Sequence, residues 1–281
     1  GTGTLNIQPG SGVIGIYPDI TVTGTDNSDS SRSVSFNLYV VDPNVSSTYV
    51  NFTNPGFQAP APWNNLAIPF IPYAGFALSG LTDDGNRATG ATVTLTDAWS
   101  GLSPTGVRFR NGSTVYPESV EWTGLYTTDA NSHRITVTGL STAKNYNFVF
   151  YNSDGTSQNS STSFTINGKT VTLNGSYNAN KTVQLNGIAP DATGTVVISC
   201  AKSSGSAFGL LSAMVIEAYT PGAVTTLSPA DLRVLDYTPG KAISLQWQDR
   251  ASNETGYEVW RSTGGQAYTR VAVLAAGTTT Y

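Results

Sequence analysis

The chain has 281 residues, enough for two or three domains of ordinary size, and its 39% hydrophobic content is sufficient for real cores. Only 11% of residues are charged, against about 25% in an average soluble protein. The net charge of -4 offers no basic stripe for a run of phosphates, which excludes nucleic acid as the expected partner.

In chain order, period-2 runs rich in Val, Ile, Thr, Tyr and Phe recur between clusters of Gly, Asn, Asp and Pro, and no helical periodicity is sustained. The fold class read from this is all-β, with β-sandwich architecture. Ile20–Thr23 and Val34–Val40 predict the first clear strands, and Val41–Ser47 predicts a break where Pro and small polar residues interrupt the pattern. Arg134–Val137, Tyr146–Tyr151 and Lys181–Leu185 then predict strands whose alternate residues face one core. A second break is predicted at Ala218–Ala223. The two breaks divide the chain into 1–42 with about three strands, 47–219 with about ten, and 224–281 with three or four, so only the middle segment has the size of a full domain. No run approaches the ~18 consecutive apolar residues of a spanning helix, so no membrane insertion is expected. Gly1 opens without a charged and then apolar leader, and the chain reads as a mature or excised piece.

Three resemblances follow from quoted runs. Ile243–Asp249, Glu254–Ser262 and Tyr268–Leu274 resemble the first strands of a fibronectin type III domain, which implies that Trp247 and Tyr257 are core residues. Gly3–Ile7, Gly15–Val22 and Thr25–Asn27, leading to the strand that ends at Val41, resemble the closing half of bacterial immunoglobulin- or cadherin-like repeats. Val50–Phe52, Trp63–Leu66, Val115–Val120, Ile135–Leu140, Tyr146–Phe150, Phe164–Val171 and Leu211–Glu217 resemble the galactose-binding-like jelly-roll modules of large secreted proteins of Bacteroidetes-type bacteria. The resemblance implies a jelly roll over 47–219, an extracellular or cell-surface setting, and the structural calcium that such jelly rolls often carry. The terminal segments read as partial sandwiches, completed by residues or by neighbouring copies of the chain outside this sequence.

The chemistry-bearing residues are few. A single cysteine, Cys200, excludes an internal disulfide, and its alternating run Thr195–Cys200 makes it a small buried strand residue. Seven Asn-x-Ser/Thr sequons match what this composition gives by chance and imply no glycosylation. The only histidine, His133, has no Gly-x-Ser-x-Gly elbow to serve and reads as a solvated strand-edge residue. Glu118, Glu121 and Glu217 lie near or on strands with nothing to mark a desolvated catalytic pair, so solvated or edge roles are expected and the chain reads as no enzyme.

Oxygen-rich turns can hold Ca²⁺. Asp83, Asp84 and Asn86 in Asp83-Asp84-Gly85-Asn86 form one such turn, and Asp26-Asn27-Ser28-Asp29 another, although ordinary hairpins use the same residues. Sugar binding needs aromatic faces for pyranose C–H groups with polar groups alongside. Trp99, Trp122 and Tyr126 sit in loop-like sequence, and Arg108 and Asn65 supply the polar partners. Trp63 is assigned to the core. The expected function is therefore a noncatalytic extracellular module that binds a glycan or a cell-surface protein. The alternatives are a stalk or filament without ligand, and an accessory carbohydrate-binding region of a polysaccharide-degrading enzyme.

Overall fold

The computed structural model describes residues 15–25, 31–40, 45–68, 71–104, 106, 115–156, 158–179, 181–222, 229–238, 242–249, 251, 254–261 and 269–281. The first strands, β1 (Gly15–Thr25) and β2 (Ser31–Val40), form an antiparallel pair with Ile20 opposite Phe36. Register shifts between Tyr17 and Ile20, where Pro18 has no N–H to give the ladder and a bulge absorbs it.

A sandwich follows. Its elements are β3 (Val45–Thr53), β4 (Trp63–Ala67), β5 (Ala77–Leu78), β6 (Thr92–Leu95), β7 (Gly101–Ser103), the single-turn helix α1 (Glu118–Glu121), β8 (Gly124–Thr127), β9 (Ser132–Thr138), β10 (Asn145–Tyr151), β11 (Ser161–Ile166), β12 (Lys169–Asn174), β13 (Val183–Ile188), β14 (Val196–Lys202), β15 (Gly209–Leu211) and β16 (Ala213–Tyr219). One sheet has the order β13-β10-β16-β3-β4, with β3 and β4 parallel. A second has the order β12-β11-β14-β9-β6-β5, and β15-β8-β7 form a small third sheet. Val50, Phe52, Phe148, Phe150, Met214 and Ile216 of the first sheet meet Val93, Ile135, Val137, Phe164, Ile198 and Cys200 of the second in one fully buried core. The rings of Phe150 and Phe164 stack across it at 4.4 Å. Asn167 and Gly168, both at positive φ, turn β11 into β12, as an Asn-Gly hairpin requires.

Two sequence expectations are corrected here. The first break is shorter than predicted, because Val45, Ser46 and Ser47 already pair with Tyr219, Ala218 and Glu217. The Tyr146–Tyr151 strand does not face a single core. Its Val149 and Tyr151 join Trp63, Tyr116, Val120, Ala213 and Val215 in a second buried cluster on the sheet's outer side, beneath α1. Both faces of β10 are therefore dry, which explains a strand with almost no polar alternation.

The last segment has β17 (Ala230–Thr238) antiparallel to β18 (Ala242–Gln248) and β19 (Gly256–Arg261) antiparallel to β20 (Thr269–Ala275). The chain then returns beside β18, where the Tyr281 N–H donates to the Leu245 carbonyl at 3.0 Å and the Trp247 N–H to that of Thr279 at 3.0 Å. Trp247 is buried with its ring 5.4 Å from that of Tyr257, while Leu232, Ile243, Trp260 and Val273 are exposed. Ala251 packs on Val45 and Tyr219 of the sandwich. Among the described residues, no helix is long and apolar enough to cross a membrane.

Candidate functional site

A groove of about 490 Å³ opens at the end of the sandwich where β3 and β10 begin and β16 ends. Ser46, Thr48, Asp83, Arg87, Ser141 and Lys144 supply its polar lining, and Leu140 and Ile216 are among its apolar residues. The turn after Leu81 builds one wall. There the Asp83 N–H donates to the Arg87 carbonyl at 2.9 Å and the Asn86 N–H to the Asp83 carbonyl at 2.9 Å, with Asn86 at φ 57°. The Asp83 carboxylate closes the turn on itself. Its Oδ1 accepts the N–H groups of Gly85 and Arg87, and its Oδ2 accepts the Arg87 Nε and the Ser46 hydroxyl. Burial alone would raise this carboxyl. The Arg87 side chain and backbone and the Ser46 hydroxyl outweigh it and hold Asp83 below the ordinary carboxylate range. Asp84 accepts the Ser47 N–H at 3.2 Å and returns its own N–H to the Ser47 carbonyl at 2.8 Å. Burial pushes its carboxyl up.

This geometry replaces the calcium expectation for Asp83, Asp84 and Asn86. A Ca²⁺ ion needs six to eight oxygen ligands, but both Asp83 oxygens already accept donors, and a guanidinium 2.8 Å away repels a dication. The residues do not fit the ion. No group of three or more His, Cys, Asp or Glu side chains able to hold a metal occurs among the described residues. The Asp26–Asp29 turn lies outside them.

The predicted sugar-binding residues do not form one platform. Trp99 is only 3% exposed. Its backbone N–H donates to the Pro72 carbonyl at 3.0 Å, which draws the ring into the core, 5.3 Å from that of His133. Trp122 is half-buried and stacks on Phe57 at 4.7 Å. Tyr126 is half-buried on β8 over Gly101, where an added Cβ would come 2.6 Å from its ring. Asn65 is committed to the backbone. It accepts from Asn51 and the Ala59 N–H and donates to the Ala59 carbonyl, pinning the loop before β4. Arg108 lies outside the described residues.

His133, Glu121 and Glu217 also depart from their expected solvated roles. His133 is buried on β9, with Nδ1 2.6 Å from the Ala98 carbonyl. Its Nε2 lies between the Thr127 hydroxyl at 2.8 Å and an Asp129 carboxylate oxygen at 3.2 Å. Thr127 is itself buried. Glu118 is exposed, but Glu121 and Glu217 are buried. Glu217 accepts from the Asn147 amide at 3.2 Å and the Gln248 amide at 3.1 Å. Cys200 faces the core as a free thiol, pushed upward in pKa by burial.

The groove wall itself carries no mark in the sequence as one surface. The available signal was Asp83 with Arg87 four residues on, across a Gly-Asn turn, a spacing that suits an ion pair as well as it suits a metal. Fold and groove together define an all-β sandwich protein with a polar cleft at one end. No family model matches the chain, and no curated protein is significantly similar to it.

Proposed function

We propose that the chain is a noncatalytic module of a multidomain extracellular or bacterial surface protein, and that its sandwich binds a glycan in the end groove. The observation that carries this reading is the exposed Arg87 guanidinium, fixed through Nε and Nη2 on the buried Asp83 Oδ2 at the rim of a cleft with volume for a sugar unit or two, so that its remaining N–H groups are held ready as donors. Ser46, Thr48 and Ser141 add hydroxyls, Lys144 adds a cation, and Leu140 and Ile216 offer apolar surface to pyranose C–H faces. The adhesive role, the glycan or cell-surface partner, and the galactose-binding-like kinship belong to this proposal. So does the fibronectin-like reading of 224–281. It is supported by the β17–β18 pairing, the Trp247–Tyr257 contact and the return of Thr279–Tyr281 beside β18.

A second reading, a stalk or filament unit, is favoured by one observation. Glu217 of the sandwich is gripped by Gln248 of the last segment, and Asn186 donates to the Ala251 carbonyl at 2.9 Å, a jointed contact of the kind a rigid spacer uses. A glycan array followed by calorimetry separates the two. Ala88 is exposed and lines the groove, so Ala88→Trp fills the cleft without deleting a fold contact. Binding that Ala88→Trp and Lys144→Ala both weaken at unchanged Tm supports the glycan reading. No binding to a broad panel at millimolar concentration, or binding that both variants leave intact, removes it in favour of the spacer.

A further inference from the structure

A second cavity, of about 290 Å³, lies where the outer side of β13 meets the last segment. Gln184 and Asn186 stand two residues apart on β13, and Trp247 and Asp249 face them from the end of β18 and the residue after it. Three buried polar atoms in this lining have no hydrogen-bond partner among the described residues: Gln184 Nε2, Asn186 Oδ1 and the Trp247 indole N–H. Trp247 is 6% exposed, so its N–H is not left to bulk water. The Asn186 amide is oriented unambiguously, because its Nδ2 donates to the Ala251 carbonyl at 2.9 Å, and turning it over would set oxygen against oxygen. Gln184 presents one buried polar atom whichever way its amide is turned.

Each such atom is costly unless something fills its valence. Three around one cavity, beside the apolar side chains of Val171 and Val183, form the mixture of directed polar groups and dry wall that small-molecule sites use. The Trp247 donor, set beside the Asn186 acceptor, disfavours a simple cation. Asp249 in the lining gives an anion no positive partner. Hydroxyl groups serve as donor and acceptor at once, and a pyranose ring presents C–H faces with a hydroxyl edge.

We propose that the cavity between β13 and the Trp247–Asp249 strand end is a binding site for a neutral polyhydroxy molecule of monosaccharide size, separate from the end groove. The ligand seats between sandwich and last segment and thereby ties them together. Its hydroxyls accept from Trp247 and Gln184 and donate to Asn186.

The test uses the full chain, ¹⁵N-labelled at tryptophan, whose five indoles give separate Nε1–H signals. Trp247→Phe identifies one of them by its loss. Methyl β-D-galactopyranoside, methyl α-D-mannopyranoside and N-acetylglucosamine are titrated to millimolar concentrations, with sodium acetate and ammonium chloride as charged controls. The expected result is a saturable shift of the Trp247 signal with at least one sugar. Gln184→Leu should weaken that binding about five- to tenfold at equal or higher Tm, since it removes a buried polar atom that has no partner among the described residues. Three results overturn the proposal: no saturable shift with any of the sugars, a shift with acetate or ammonium alone, or sugar affinity unchanged in Gln184→Leu. A sugar-dependent shift abolished by Ala88→Trp also overturns it, by placing the ligand in the end groove; failure of groove binding alone leaves the Trp247 titration intact.

Discussion

The Ser46 hydroxyl donates to the Asp83 carboxylate at 2.8 Å across 37 positions of chain. This bond fastens the turn after Leu81 to the first residues of β3, and the Asp84–Ser47 exchange beside it does the same through the backbone. The groove wall is thus fixed by contacts within the protein, so the glycan binding proposed above would carry a low ordering cost.

Asp83→Asn should destabilise the sandwich by about 1–3 kcal/mol. The amide can still accept from Gly85 and Arg87 through one oxygen, but its NH₂ group then opposes the Arg87 and Ser46 donors that met Oδ2. Urea denaturation measures the loss. Ser46→Ala should cost less, about 1 kcal/mol, because Arg87 still satisfies the carboxylate.

Gly139→Ala should cost about 2 kcal/mol or more. The residue lies in the groove lining at φ 75°, and an added Cβ would come 2.2 Å from the Gly90 carbonyl, a backbone atom that no rotamer change can move. The same substitution at Gly168 meets open space and should cost only the positive-φ penalty, about 1 kcal/mol. The difference between the two variants in urea isolates the close approach of backbone to backbone.

How much of this was legible varied with the physics. Arg134–Val137 was read correctly as a strand because one face of β9 is buried and the other is not, so the sequence alternates. Lys181–Leu185 was placed two residues early, β13 starting at Val183. The strands β5, β7 and β15 have only two or three residues, too few for a period to register. Trp99 was read as reachable because Ser, Gly and Asp flank it, yet neighbours in sequence do not report that its backbone N–H is tied to the Pro72 carbonyl and its ring lies in the core beside His133. Conversely, the apolar side chains of Ile71 and Tyr73 in the segment around Pro72 are 69% and 57% exposed. Glu217 on a strand carries no mark of burial either, since the amides that satisfy it come from Asn147 and Gln248, 70 and 31 positions away.

Trp99→Ala should destabilise by about 3–5 kcal/mol through the cavity left beside His133. Trp99→Phe should cost well under half of that, because the indole N–H is buried without an acceptor among the described residues and its removal relieves an unmet polar group. Neither variant should alter glycan affinity in the end groove. Calorimetric unfolding and binding isotherms on the same preparations check both statements.

The last prediction concerns acid. Side-chain hydrogen bonds from Arg134 hold the Asp97 carboxyl at about 2, against an ordinary 3.8, through contacts of 2.8 Å to each carboxylate oxygen. A carboxyl depressed in the folded state binds its proton more weakly there than in the unfolded chain. The stabilisation from this pair is therefore complete above about pH 4 and disappears as pH falls through about 2. Asp83 is depressed for a like reason and adds a contribution of the same sign. Asp84 and Asp249, raised by burial, act oppositely: their carboxyls favour the folded state when protonated, and that contribution is lost as pH rises through their folded values. Arg134→Ala should consequently be less stable than the native protein at pH 7, with the gap closing over about two pH units below pH 4. Added salt should narrow the gap at pH 7, since the Arg134 side chain is 53% exposed. Urea midpoints between pH 2 and pH 7 measure it, and a gap that persists undiminished at pH 2 would mean that Arg134 stabilises the sheet by packing and not by pairing with Asp97.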